Sequence, residues 1–85
     1  MTIEQADTAA RFAETIAGMI GRDRRDTVAC AVIETGGLYP YQAPAQALVE
    51  IQLHGICATG TGEDEAIDNW IAKARLAHSG SAGAE

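Results

Sequence analysis

The chain has 85 residues and a formal net charge of −6, and its 47% of hydrophobic residues include 17 alanines, so it is one small acidic domain with a thin core. The acidic balance argues against a nucleic-acid binder, which needs clustered Lys and Arg to neutralise phosphates. No apolar run approaches the length of a membrane span, and the start lacks the pattern of a signal peptide. We therefore expect a cytoplasmic protein that does not act at a membrane.

The first predicted element is a helix that begins at a capping box and ends at Gly21. In the capping box, Thr2 and Gln5 satisfy backbone amides that have no partner within the helix. Apolar residues then recur every three or four positions as far as Ile20, which predicts one buried stripe. Gly21 suits the left-handed conformation in which helices commonly end.

Two later segments are predicted to be strands. Residues 27–34 are rich in β-branched side chains and apolar on both strand faces, which indicates a central strand. Residues 47–58 alternate, so Glu50, Gln52 and His54 are expected to face solvent or a partner. The residues expected to face the core from this second strand are Val49, Ile51, Leu53 and Cys57.

The segment between these strands contains turn signals. The pair Gly36 and Gly37 favours a hairpin turn because glycine tolerates positive φ angles. Pro40 and Pro44 lack amide donors and would confine any return strand to a sheet edge. The number of strands between Gly36 and Gln46 therefore stays open.

A second helix is predicted from the capping signal at residues 61–64 to about His78, followed by a disordered tail over residues 79–85. The sequence thus predicts a single α+β domain over residues 1–78, in the order helix-strand-strand-helix with a possible third strand. Two helices would pack on one face of a small antiparallel sheet. The predicted core comprises Ile3, Phe12, Ile16, Ile20, Val28, Val32, Val49, Ile51, Leu53, Ile67, Trp70 and Ile71.

No pattern of residues points to catalysis, a metal or a cofactor. The two histidines, His54 and His78, and the two cysteines, Cys30 and Cys57, have none of the spacings that hold zinc. The two thiols could be bridged, although reduced thiols are expected in a cytosolic chain. The turn at residues 60–62 lacks the lysine of a phosphate-binding loop. We therefore expect a protein that is not an enzyme, with a ligand-binding role for His54 as the weakest alternative.

The distribution of charge carries the functional prediction. Residues 1–25 hold four acids and four bases, whereas residues 26–85 hold eight acids and two bases. The acids at the start of the second helix have no Lys or Arg three or four positions away. Such a surface could serve only solubility, or it could bind a basic partner. The predicted partner-binding residues are Glu63, Asp64, Glu65, Asp68, Glu50, Tyr39 and Tyr41, the tyrosines because tyrosine is enriched at interfaces.

The segments MTIEQADTAARFAETIAGMI and GTGEDEAIDNWIAKA resemble the small anti-CRISPR proteins of phages, in particular type I-C inhibitors from alphaproteobacterial mobile elements. The resemblance implies a non-enzymatic inhibitor that binds the basic DNA-recognition surface of a Cascade complex and blocks target DNA, inside a bacterial host cell. It assigns no role to any single residue, so the partner-binding residues rest on charge. The alternative is a small structural or assembly module that forms a homodimer through exposed strand edges. Monomer and homodimer both stay open.

Overall fold

The computed structural model describes residues 3–40 and 47–83 of the chain. This part contains three helices and a two-stranded antiparallel sheet, so the predicted α+β class is confirmed. The last helix packs against both the hairpin and the first helix. The elements in chain order are α1 (Ile3–Ala17), α2 (Gly21–Thr35), β1 (Leu48–Leu53), β2 (Ile56–Thr61) and α3 (Glu63–Gly83).

The prediction of a central strand over residues 27–34 is wrong, because these residues belong to α2. Val28, Ala31 and Val32 are buried, which is the three- and four-residue spacing of one helix face. The outer face of the same helix carries Cys30 and Ile33, which are exposed. Because both faces of this helix carry apolar residues, its sequence has the same pattern as a strand that is apolar on both sides.

Two glycines lie at the ends of α2, and neither forms the turn of a hairpin. Helix α1 ends at Ala17, and Gly21 is the first residue of α2 rather than the end of α1. Ile20, between the two helices, is 86% exposed and is not part of the core. Gly36 ends α2 with a left-handed φ of 76°, and its N–H donates to the Val32 carbonyl.

Residues 47–58 span a hairpin turn rather than forming one strand. His54 and Gly55 occupy the turn with φ angles of 53° and 79°, the pair of positive values that a type I′ turn requires. Because two residues turn the chain, the inward positions on β2 begin at Ile56, which pairs with Leu53. Cys57 therefore faces solvent, and the prediction that it faces the core is wrong.

The core lies between α1, α3 and the inner face of the hairpin, with Val28 and Val32 of α2 at its side. Phe12 of the predicted core is partly buried. The side chain of Ile3, Thr2 of the predicted capping box and residues 41–46 lie outside the described part. The largest fully buried side chains are Trp70, Ile16, Ile51, Leu53, Ile67 and Val28.

Helix α3 continues to Gly83, so residues 79–83 are helical where a disordered tail was predicted. Among the described helices, none combines the length and the apolar character that crossing a membrane requires.

Both edges of the hairpin already have hydrogen-bond partners. Along β2, Asn69 donates to the Thr59 carbonyl at 2.6 Å and Lys73 donates to the Cys57 carbonyl at 2.8 Å. Along β1, the backbones of Leu38 and Gln52 exchange two hydrogen bonds of 2.9 Å. A second copy that paired with β2 would have to displace the α3 side chains.

Helix α3 lies very close to the backbone of β2 at Gly60. A Cβ atom at this position would lie 2.5 Å from the backbone nitrogen of Ala66 and 2.7 Å from the carbonyl carbon of Glu65. Neither atom can retreat without moving the helix. Only glycine therefore permits this packing distance.

We expect Gly60→Ala to lower the free energy of unfolding by about 3 kcal/mol, because the methyl group would push α3 away from β2. Gly18→Ala is the matched control, since a Cβ atom there meets nothing within 4 Å. The control should change stability by less than about 1 kcal/mol. Urea unfolding followed by tryptophan fluorescence measures both, and equal effects would contradict the close packing at Gly60.

Candidate functional site

The amino ends of α2 and α3 are joined by an ion-pair cluster of Arg24, Arg25, Asp64 and Asp68. The Arg24 guanidinium lies 2.6 Å from Asp68 Oδ1 and donates to the backbone carbonyl of Asp64 at 3.2 Å. Arg25 Nη1 lies 3.2 Å from Asp64 Oδ2. The Arg24 side chain is only 13% exposed, whereas both aspartates are more than half exposed. The cluster therefore clamps α2 to α3 while leaving carboxylate surface in solvent.

This cluster revises the electrostatic prediction. Asp64 and Asp68 have no basic neighbour on their own helix, as the sequence indicated, but their partners come from α2. The sequence did not predict these ion pairs, because residues 27–34 were expected to form a strand. Arg24 and Arg25 were therefore not expected to lie on a helix beside α3. Both aspartates hold the fold together, in addition to any role in binding a partner.

Glu63 and Glu65 also have internal hydrogen-bond partners. The Tyr39 hydroxyl donates to Glu63 Oε1 at 2.5 Å. Burial, and then this bond, raise the pKa of Tyr39 above its ordinary value, so its hydroxyl stays protonated at neutral pH. Glu65 Oε1 accepts from the backbone N–H of Thr61 at 2.7 Å, as a capping carboxylate does.

Of the two tyrosines singled out in the sequence, Tyr39 lies within the described residues. Tyr39 is 6% exposed, so its ring belongs to the core and is not presented to a partner. Its contribution to the surface is the orientation of the Glu63 carboxylate. Tyr41 lies outside the described residues.

Glu50 lies on the outer face of the hairpin, apart from the ion-pair cluster. It accepts hydrogen bonds from the Cys57 thiol and, at 3.4 Å, from the Gln52 amide. These bonds lower the pKa of Glu50, and the bond to Glu50 raises the pKa of Cys57. A thiol with a raised pKa forms little thiolate at neutral pH, so Cys57 is a weak nucleophile.

Much of the chain's net negative charge lies where α2 and α3 begin. We call residues 22–26 and 63–68 the acidic end; it holds six acids and three bases and thus a net charge of −3. Half of the chain's net charge lies in these eleven residues. The acids here are Asp23, Asp26, Glu63, Asp64, Glu65 and Asp68.

His54 packs inward from the hairpin turn instead of facing solvent as predicted. Its ring lies edge-on to Phe12, with centroids 5.5 Å apart, and tilted to Trp70 at 6.3 Å. Partial burial lowers the pKa of His54 below its ordinary value of 6.5. The imidazole is therefore neutral at pH 7 and serves packing.

In the described part of the chain, no group of three or more His, Cys, Asp or Glu side chains could hold a metal ion. Comparison with known proteins leaves the family open: no family model, no curated protein and no solved structure matches the chain.

We expect Arg24→Ala to lower the free energy of unfolding by about 1–2 kcal/mol, since it removes charge-assisted hydrogen bonds and the packing of a mostly buried side chain. Arg22→Ala is the matched control, because Arg22 is exposed, and it should shift stability by less than about 0.5 kcal/mol. Urea titrations of both variants test this. Indistinguishable values would contradict a clamping role for Arg24.

We expect the native protein to lose stability as pH falls below 6.5. The folded state resists protonation of His54, so the unfolded state binds more protons in this window and gains relative stability. The variant His54→Asn tolerates a positive φ and carries no titrating group, so its loss over pH 5 to 6.5 should be smaller. Thermal unfolding across this range measures the difference, and parallel curves would rule out a contribution from His54.

Proposed function

We propose that the protein is a non-enzymatic inhibitor that acts in the cytoplasm of a bacterial host cell by occupying the basic DNA-recognition surface of a CRISPR–Cas Cascade complex. The target follows from the resemblance of two segments to type I-C anti-CRISPR proteins. The observation that carries the binding mode is the acidic end, with its net charge of −3. Such a surface matches a protein groove that evolved to bind phosphates.

The acidic end combines charge with rigidity. Arg24 and Arg25 hold the carboxylates of Asp64 and Asp68, and Tyr39 holds that of Glu63. A charged surface fixed in this way loses little conformational freedom on binding. Electrostatic attraction to a basic groove would raise the association rate, as it does for other oppositely charged partners.

Different acids are suited to different roles in this proposal. Asp23 and Asp26 are exposed on α2, so they are the best placed to contact a partner without a structural cost. Asp64 and Asp68 stabilise the fold, and Glu63 and Glu65 have the hydrogen bonds described above. Glu50 adds negative charge on the outer hairpin face. A homodimer through strand edges has less support, because the β2 edge is occupied by Asn69 and Lys73.

The proposal is tested by adding the protein to a type I-C Cascade complex and measuring the binding of target DNA by gel mobility shift. The double variant Asp23→Lys with Asp26→Lys reverses two exposed charges that form no ion pair in the described part of the chain. We expect it to inhibit DNA binding at least about tenfold less strongly than the parent. Inhibition by the parent should also weaken as salt rises from about 50 to 300 mM.

The matched control is Glu4→Lys with Glu34→Lys, which changes the net charge equally, also replaces one first-turn acid, and lies outside the acidic end. It should inhibit within about twofold of the parent. Circular dichroism verifies that both variants fold. Full inhibition by the folded Asp23/Asp26 variant would refute the acidic-end mechanism, and absence of inhibition by the parent at low salt would refute the proposed target.

A further inference from the structure

A cleft of about 540 Å³ opens at the far end of α2, away from the acidic end. Its walls are the hairpin turn, the amino-terminal part of α1 with Glu4 and Thr8, and the carboxyl end of α2 with Thr35 and Gly36. The volume lies within the range of small-molecule sites in proteins. No role assigned above uses this cleft.

The carboxyl end of α2 makes the cleft electronegative. The N–H groups of Gly36 and Gly37 both donate to the Val32 carbonyl, at 2.9 and 3.1 Å. Within the described part of the chain, the three carbonyls that follow, at residues 33–35, accept no hydrogen bond. The last turn contains no basic residue, so the negative end of the helix dipole is not compensated.

Side chains around the cleft add to this negative potential. Glu4 lines it with a carboxylate, and none of the lining residues is Lys or Arg. Glu4 lies in the first turn of α1, where its charge offsets the positive end of that helix. Glu34 does not line the cleft, but it lies in the last turn of α2 and adds a negative charge to that end of the helix.

The remaining polar groups can accept hydrogen bonds. The Thr35 hydroxyl donates to the Ala31 carbonyl at 2.8 Å, which leaves its oxygen available as an acceptor. His54 also lines the cleft, and its imidazole is neutral at pH 7, so it does not repel a cation. The described residues of the cleft therefore offer acceptors and negative charge, and none of them is Lys or Arg.

From this arrangement we infer that the cleft binds a cationic nitrogen group, either a guanidinium or an alkylammonium. Such a group would donate to the carbonyl of Thr35, a residue that lines the cleft, and form an ion pair with Glu4. The group could belong to an arginine or lysine of another protein or to a free polyamine. The inference stands on the geometry of the cleft and does not depend on the proposed inhibition of Cascade.

The probe is N-acetyl-arginine methylamide, titrated into the isotopically labelled protein while amide resonances are followed by NMR. We expect shifts centred on Thr35, Gly36, Gly37 and Gly55. The citrulline analogue, which has the same shape without the charge, should cause shifts at least about threefold smaller at equal concentration. Spermidine, tested in parallel, distinguishes the sources: tighter binding of spermidine indicates a free polyamine, and tighter binding of the arginine derivative indicates a protein side chain.

Two variants locate the site. Glu4→Gln should weaken binding of the arginine derivative at least about threefold, because it removes the carboxylate of the cleft. Asp23→Asn, which removes a first-turn acid of α2 at the acidic end, should leave the affinity unchanged. Equal shifts with the citrulline analogue, an unchanged affinity in Glu4→Gln, or shifts spread evenly over all acidic residues would each overturn the inference.

Discussion

The buried indole of Trp70 is the contact on which the rest of the structure depends. Its ring is 1% exposed, donates its N–H to the Leu53 carbonyl at 3.1 Å, and meets the Phe12 ring edge-on at 5.8 Å. One side chain of α3 thereby joins the end of β1 to α1. Because most other core residues on the helices are small, a single large aromatic ring supplies much of the apolar area at this junction. The turn at His54 and the cleft beside it lie next to this junction.

The sequence predicted the parts of the fold that depend on local periodicity. The stripe of α1 as far as Ile16, the stripe of α3 and the alternation of β1 follow from helix and strand geometry, and they agree with the structure. The pattern failed for α2, where exposed Cys30 and Ile33 obscured the buried face. The prediction of one strand also failed after His54, because a His-Gly pair is a weak sequence signal for a type I′ turn. After this turn the inward and outward positions alternate in a different register.

The sequence predicted only part of the candidate site, because its ion pairs and hydrogen bonds join residues about 40 positions apart in the chain. Local spacing correctly indicated that Asp64 and Asp68 lack a basic neighbour on their own helix. It could not indicate that Arg24 approaches them from another helix. The ion pairs that hold α2 in place use the carboxylates of Asp64 and Asp68, so stability and surface charge cannot vary independently at these two residues.

The side chains that cover the edge of β2 have a geometric consequence. Asn69 and Lys73 are four residues apart on a helix, a rise of about 6 Å, while the carbonyls they reach at Thr59 and Cys57 are two strand residues apart, about 6.8 Å. The two repeats nearly match, so one helix face can serve as a hydrogen-bonding neighbour for a strand. The two-stranded sheet in the described residues thus obtains a protected border along β2 from a helix. The register between α3 and β2 is set by polar contacts as well as by apolar packing.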